Sequence, residues 1–225
     1  MCLSRGTELL ATRLGDPNIS HSNTILADID ACLTDAKIGI EEVDLFACAS
    51  GPGSFTGLRI GIATVKALAA TLDRPCVGIP TLAAIARGAG DSEATIALLP
   101  AGRGEVFAQL FQVSEDEVNH VDQAAHLSPE KLMTRYGSLA NLIWAGPAAQ
   151  VHRELINESA QQLGVNFSDA SAVSGWRLAA PDQNLAQHVA VLATKDLACG
   201  KGQEPEALRA IYVRPSDAEI NQTWQ

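Results

Sequence analysis

Ala49-Ser50-Gly51-Pro52-Gly53-Ser54-Phe55-Thr56-Gly57-Leu58-Arg59-Ile60-Gly61-Ile62 is the stretch on which the fold turns. An apolar run over 43–49 leads into it, and a helical run from about 56 to 72 leads out. The pattern is strand, glycine loop, helix. Gly51 and Gly53 allow backbone angles that a side chain forbids, and Pro52 fixes one φ between them. Ser54 or Thr56 supplies a side-chain oxygen to cap the helix. Such a corner leaves free N–H groups at a helix start, which suit an anion. Gly51, Gly53, Ser54 and Thr56 are therefore the candidate anion or nucleotide loop.

The loop is not a Walker A motif, because Leu58 rather than Lys follows Gly57. The glycine spacing does not match a dinucleotide fingerprint. A nucleophile elbow is excluded too, since Gly53 directly precedes Ser54 and Thr56 stands where the second glycine belongs. The helix that follows is built for close packing. Gly57 and Gly61 are four apart and share a face. Ala63, Ala67, Ala69 and Ala70 add small residues, and Leu58, Ile62, Val65, Leu68 and Leu72 add apolar bulk at helical spacing. A helix apolar on more than one side is usually covered by more than its own sheet. The spacing thus points to a partner helix.

The chain has 225 residues, enough for one large domain or two small ones. With 47% hydrophobic residues and 19% charged ones it can bury a sizeable core. Its net charge of −10 disfavours a broad phosphate-binding face, and Lys and Arg form no cluster. Direct binding of a nucleic acid by this chain alone is therefore disfavoured. The five cysteines are odd in number and form no Cys-x-x-Cys pair, so a disulfide framework is not expected. No signal peptide and no apolar run long enough to span a membrane is read, which makes the cytoplasm the expected compartment and excludes a membrane partner.

The periodicity predicts a strand over 8–14, a turn at Asp16-Pro17-Asn18, and a helix over 21–34 capped by Ser20, with Ile25, Ile29 and Cys32 on one face. After the glycine helix come a strand over 76–79 and a helix over 81–87. Gly88-Ala89-Gly90-Asp91-Ser92 is the expected boundary between an N-terminal lobe, 1–90, and a C-terminal lobe, 91–225. The second lobe predicts strands over 95–99 and 105–113 and a solvated turn at 114–117. A helix starts at Ser128-Pro129-Glu130, a strand covers 141–145, and helices follow over 148–163 and from Pro181 to about 198. Residues after about 216 read as a loose tail. The class is α/β.

Gly-Pro-Gly-Ser-Phe-Thr-Gly-Leu-Arg-Ile-Gly, Gly51 to Gly61, followed by an Ala-rich helix, resembles the TsaB (YeaZ) family. That family takes part in making N6-threonylcarbamoyladenosine in tRNA. His21-Ser22 with Leu26 and Ile29 resembles the family's first helix. Pro75-Cys76-Val77-Gly78-Ile79-Pro80-Thr81-Leu82 resembles the strand and turn after the glycine helix. Gly102-Arg103-Gly104-Glu105-Val106-Phe107 resembles a hairpin of the second half, and Ala210-Ile211-Tyr212-Val213-Arg214 the C-terminal Tyr-x-Arg run. The likeness implies two lobes of the actin-like ATPase fold (ASKHA, ribonuclease H-like). The likeness implies that Met1 to Gly6 stands for the family's second strand, cut short, and that the first strand, which ends in Asp-Thr in the family, is missing here.

The resemblance implies a scaffold rather than an enzyme. It implies that the helices carrying His21, Ile25, Ile29, Gly57, Leu58, Gly61, Ile62, Val65 and Leu68 pack against the catalytic relative TsaD, or against a second copy of the chain. Arg59 and Lys66 stand at the rim. It also implies recruitment of the ATPase TsaE, with ATP or ADP shared at the interface rather than bound tightly. TsaD carries a His-x-x-x-His pair where Thr81 and Ile85 stand here, so no metal site and no threonylcarbamoyl transfer are expected. Pro100 stands where many relatives have Asp. Two other readings remain: a metal-independent hydrolase, for which Ser54 has no recognisable His partner, and a free-standing nucleotide-binding protein. Arg103 and Glu105 are read as structural hairpin residues.

Overall fold

The computed structural model describes residues 1–15, 21–115, 117–169, 174–182 and 184–213. The predicted turn at Asp16-Pro17-Asn18, the Ser20 cap, Arg214 and the tail lie outside the described residues. The chain opens with an antiparallel hairpin, β1 (Cys2–Arg5) and β2 (Glu8–Thr12), in which Cys2 faces Thr12 and Leu3 faces Ala11. Helix α1 (His21–Ala36) follows, and packs on that hairpin. A short turn then delays the next strand. Gly39 N–H donates to Glu42 Oε1 at 2.8 Å, and Val43 N–H to Ile40 O at 3.2 Å. Residues 43–45 are spent leaving that turn, so β3 is Phe46–Gly51 rather than 43–49.

Helix α2 (Phe55–Leu72) starts where Ser54 Oγ accepts the Gly57 N–H at 3.3 Å. It ends at Asp73, whose left-handed φ of 51° breaks the helix. The chain returns as β4 (Cys76–Pro80), parallel to β3 with Phe46 beside Cys76 and Ala49 beside Ile79. Helix α3 (Thr81–Gly88) comes next.

The second sheet is built on the long hairpin β5 (Ser92–Gly102) and β6 (Glu105–Ser114). Two short strands, β7 (Glu117–His120) and β8 (Ala125–Leu127), pair with β6 just after the predicted turn at 114–117, where the sequence predicts no strand. Their residues carry no apolar run; the open edge of β6 recruits them. Helix α4 (Pro129–Tyr136) is capped as expected, with Ser128 Oγ accepting the Lys131 N–H at 3.4 Å. After β9 (Leu142–Ala145), the expected single helix is two, α5 (Pro147–Val151) and α6 (Arg153–Gln162). They meet at His152, with φ −96° and ψ 18°, and the i→i−4 bonds continue on both sides of it. The bend turns Ala148 and Ala149, then Ile156 and Ala160, into one core. Strands β10 (Phe167–Ser168) and β11 (Trp176–Leu178) complete a sheet of order β10-β11-β9-β5-β6-β7, with β8 also on β6. Its core centres on Trp144 and Trp176, edge to face at 5.1 Å.

The last helix, α7 (Leu185–Ala198), corrects the expected domain boundaries. Residues 1–90 and 91–225 are not the units. One unit is Met1–Ala84 with Gln183–Ile211, and the other is Ile85–Asp182 with Tyr212–Gln225. The cause is packing between distant segments. Val189 and Ala193 of α7 lie on Val77 and Ile79 of β4. Cys76 and Gln203 exchange backbone hydrogen bonds at 3.0 and 2.9 Å.

Alternation along β3 divides the first unit into layers. Phe46 and Cys48 point to the α2 side, with Ile62, Val65, Ala69 and Leu208. Ala47 and Ala49 point the other way, to Leu185, Val189 and Ala193 of α7. Among the described residues β1 pairs only with β2 and β3 only with β4. A groove of about 630 Å³ lies between β1 and β3, lined also by Val189 and Ala193 of α7.

Candidate functional site

The glycine loop is shaped first by the chain's own packing. Gly51 has φ +121°, and a Cβ there would collide with the Ile211 carbonyl. The Ile211 N–H in turn donates to the Ser50 carbonyl at 2.7 Å. The C-terminal segment therefore seals the loop, and Ser50, Gly51 and Pro52 are buried. Gly53, Ser54 and Thr56 stay exposed. A Cβ at Gly53 would meet only Leu58, at ordinary contact distance. One of the free amides at the helix start, that of Gly57, is already taken by Ser54.

Helix α2 is the more unusual feature. It has 18 residues, of which only Leu58, Ile62 and Ala69 are buried. By length and composition it qualifies as a membrane span, which the sequence reading did not expect. As the crossover between two paired parallel strands, however, it is tied at both ends to one sheet. Lys66 Nζ also reaches the carbonyls of Glu206 and Leu208, each at 3.5 Å. It cannot enter a bilayer without unpacking the unit.

The predicted interface residues divide by burial. Leu58 and Ile62 are 8% exposed and pack mostly into the unit's own core. Val65 packs partly on the same cluster, and Leu68 is half-buried. Gly57 is exposed, and Gly61 has open space where its Cβ would be. Neither glycine is demanded by a contact inside the unit. The outward stripe is instead Thr56, Arg59, Ala63, Ala67 and Ala70, all exposed. That stripe was missed because counting apolar residues selects the inward face, whereas small residues mark the outward one. Arg59 lies over the Phe55 ring, 3.7 Å from its centroid.

Helix α1 sits beside α2 and repeats the division. Ile25 and Ile29 are half-buried and Cys32 is 4% exposed, so the predicted face turns inward. Leu26, at 66% exposure, and Asp30 and Thr34 face outward at i, i+4 spacing. His21 opens the helix, but its side chain lies outside the described part.

Elsewhere the chemistry-bearing groups serve structure. His126 Nε2 pairs with Glu105 Oε2 at 2.8 Å, next to the Phe107 ring. Arg103 occupies a left-handed position, φ 53°, between two positive-φ glycines of the β5–β6 turn. Gln109 Nε2 lies 2.9 Å from His120 Nδ1. Thr81 and Ile85 are 6% and 7% exposed. Burial pushes the Cys48 thiol up to about 12, with Cys76 adding to the effect, so it is held as an unreactive thiol. No three His, Cys, Asp or Glu side chains cluster for a metal among the described residues.

Comparison with known proteins assigns the same features to one family. Residues 17–216 match the family model described as TsaD, tRNA N6-adenosine threonylcarbamoyltransferase. A protein named tRNA threonylcarbamoyladenosine biosynthesis protein TsaB, from Escherichia coli (strain K12), is 31% identical over 144 residues, 62% of each chain. A tRNA N6-adenosine threonylcarbamoyltransferase from Protochlamydia amoebophila (strain UWE25) is 46% identical over 59 residues, 26% of this chain and 17% of that one. The alignments thus span less than two thirds of these relatives. YeaZ from Pseudomonas aeruginosa superposes with a TM-score of 0.65 at 25% identity, covering 85% of this chain and 84% of that one.

Proposed function

The chain belongs to the tRNA N6-adenosine threonylcarbamoyltransferase family, on its TsaB (YeaZ) branch, and from that membership we propose that it is a non-catalytic accessory subunit of tRNA N6-threonylcarbamoyladenosine synthesis. It binds and stabilises a TsaD-like catalytic paralogue and helps recruit a TsaE-like ATPase in the cytoplasm. The docking face is the outer surface of α1 and α2, and in isolation the same face pairs two copies of the chain. ATP or ADP is shared at the assembled interface, near Gly53, Ser54 and Thr56, and tRNA is held by the partner.

The observation that carries this reading is the exposure of α2. A crossover helix with three buried residues in 18 leaves an apolar surface that water does not favour. Small side chains along it let another helix approach closely. The net charge of −10 supports leaving tRNA to the partner. Light-scattering size exclusion of the chain with its cognate TsaD-like protein tests the proposal. A 1:1 complex is expected, lost on Gly61→Leu while the monomer melts as before. A chain that forms no complex overturns the reading, and a complex indifferent to Gly61→Leu overturns the assigned face.

A further inference from the structure

Strand β3 is less buried than the strand beside it. Cys76, Val77 and Ile79 of β4 are 0–1% exposed, whereas Phe46, Ala47, Cys48 and Ala49 of β3 are half-buried. Helices do not explain the difference, because α2 and α7 pack on both strands. The strand edges do. The outer edge of β4 is bridged to Gln203, while β3 pairs with no second strand among the described residues. Strand β1 repeats this, pairing with β2 alone. The two open edges face the groove of about 630 Å³. Helix α7 packs on β1, β3 and β4, so it spans the groove as a floor lined by Val189, Ala190, Ala193 and Leu197. On the strand pairs themselves, α1 covers β1 and β2, and α2 covers β3 and β4. The groove thus lies in the layer of the strands, with unpaired N–H and C=O groups on both walls.

We propose that this groove is a strand-acceptor site, which takes an extended segment of another polypeptide as a strand between β1 and β3. The walls dictate the chemistry of the occupant. Backbone groups on both sides call for a peptide main chain, which pairs with them at strand spacing. Strand β1 offers four residues and β3 six, so the bound stretch is about five residues long. A strand covered by helices is apolar on both faces, and the small Ala190 and Ala193 leave room for branched side chains. Charge complementarity sets the flanks. Exposed Arg5 stands at the β1 wall and exposed Asp44 at the β3 wall, so one flanking residue is acidic and the other basic. A second copy of the chain is a poorer occupant, because its described strands are all paired in its own sheets and one would have to be pulled out.

The probe is a synthetic peptide, Lys-Val-Ile-Val-Leu-Val-Asp, blocked at both ends. Cys2 and Cys48 line opposite walls of the groove, so their modification by an aromatic disulfide reagent reports occupancy. At about ten times its Kd, the peptide should slow both thiols about tenfold and leave exposed Cys199 unchanged. The melting temperature should rise with peptide concentration. The same peptide N-methylated at its central residues has lost ladder donors and should bind at least ~10-fold more weakly. Ala190→Phe fills the floor and should abolish peptide binding, with circular dichroism confirming that the variant is folded. Thiols that react alike with and without peptide, an N-methylated peptide that binds as well, or binding that survives in folded Ala190→Phe would each overturn this inference. Thiols that open only when the chain is diluted to monomers would assign the groove to a second copy and overturn the choice of occupant.

Discussion

The Ile211 carbonyl occupies the space that a side chain on Gly51 would need, while the Ile211 N–H holds the Ser50 carbonyl at 2.7 Å. The most recognisable glycine of the chain is thus explained by a segment of its own polypeptide 160 residues downstream. Gly51→Ala combines a forbidden φ of +121° with that clash. It is expected to cost about 2–4 kcal/mol in urea unfolding. Gly53→Ala, with only Leu58 nearby, should cost under about 1 kcal/mol.

The two faces of α2 separate stability from assembly. Leu58→Ala and Ile62→Ala empty space in the unit's own core and should each destabilise the monomer by about 2–4 kcal/mol. Gly61→Leu enters open space and improves helix propensity, so monomer stability should hold or rise by up to about 1 kcal/mol. Denaturant midpoints of the three variants check this. A large loss at Gly61 would mean that its surface is covered within the chain.

In the second unit, Asp122 ties β6 to α4. Its Oδ1 accepts the Leu110 N–H at 2.8 Å, and its Oδ2 accepts from Arg135 Nη2 at 2.7 Å and Tyr136 OH at 2.8 Å. Asp122→Ala strands a backbone N–H and a buried phenol and is expected to cost about 2–4 kcal/mol. Tyr136→Phe removes one bond and should cost about 1 kcal/mol. Equal effects in chemical denaturation would contradict the hub.

Alkaline stability follows from the partly buried Cys48 thiol. Cys48 is raised in the folded state from 9.0 to about 12, chiefly by burial. The unfolded chain therefore loses its proton first, so stability is complete below pH 9 and falls between pH 9 and about 12. Tyr136 is also raised above 10.0, by burial and then by Asp122, and adds to the fall above pH 10. Unfolding free energies across this range should show a slope that Cys48→Ala reduces. At pH 8 an aromatic disulfide reagent should modify exposed Cys199 quickly and half-buried Cys48, with its raised pKa, far more slowly.

The strand, glycine loop and helix at 43–72 were legible because their signals are local. Short apolar runs, a Ser cap and helical spacing act over a few residues, and β3, α2, β4, α3 and α4 follow them. The inward rows Ile25, Ile29 and Cys32, and Leu58 and Ile62, were equally plain. The sequence determined that these rows are apolar, but not that Cys32, Leu58 and Ile62 are buried in the chain's own core while Ile25 and Ile29 are half-buried. Only the tertiary structure decided that the outward stripe is Thr56, Arg59, Ala63, Ala67 and Ala70, because exposure depends on which face the sheet covers. Only the tertiary structure brought α7 back onto β3 and β4, and Ile211 onto Gly51. Those contacts join segments more than a hundred residues apart, and no local periodicity records them.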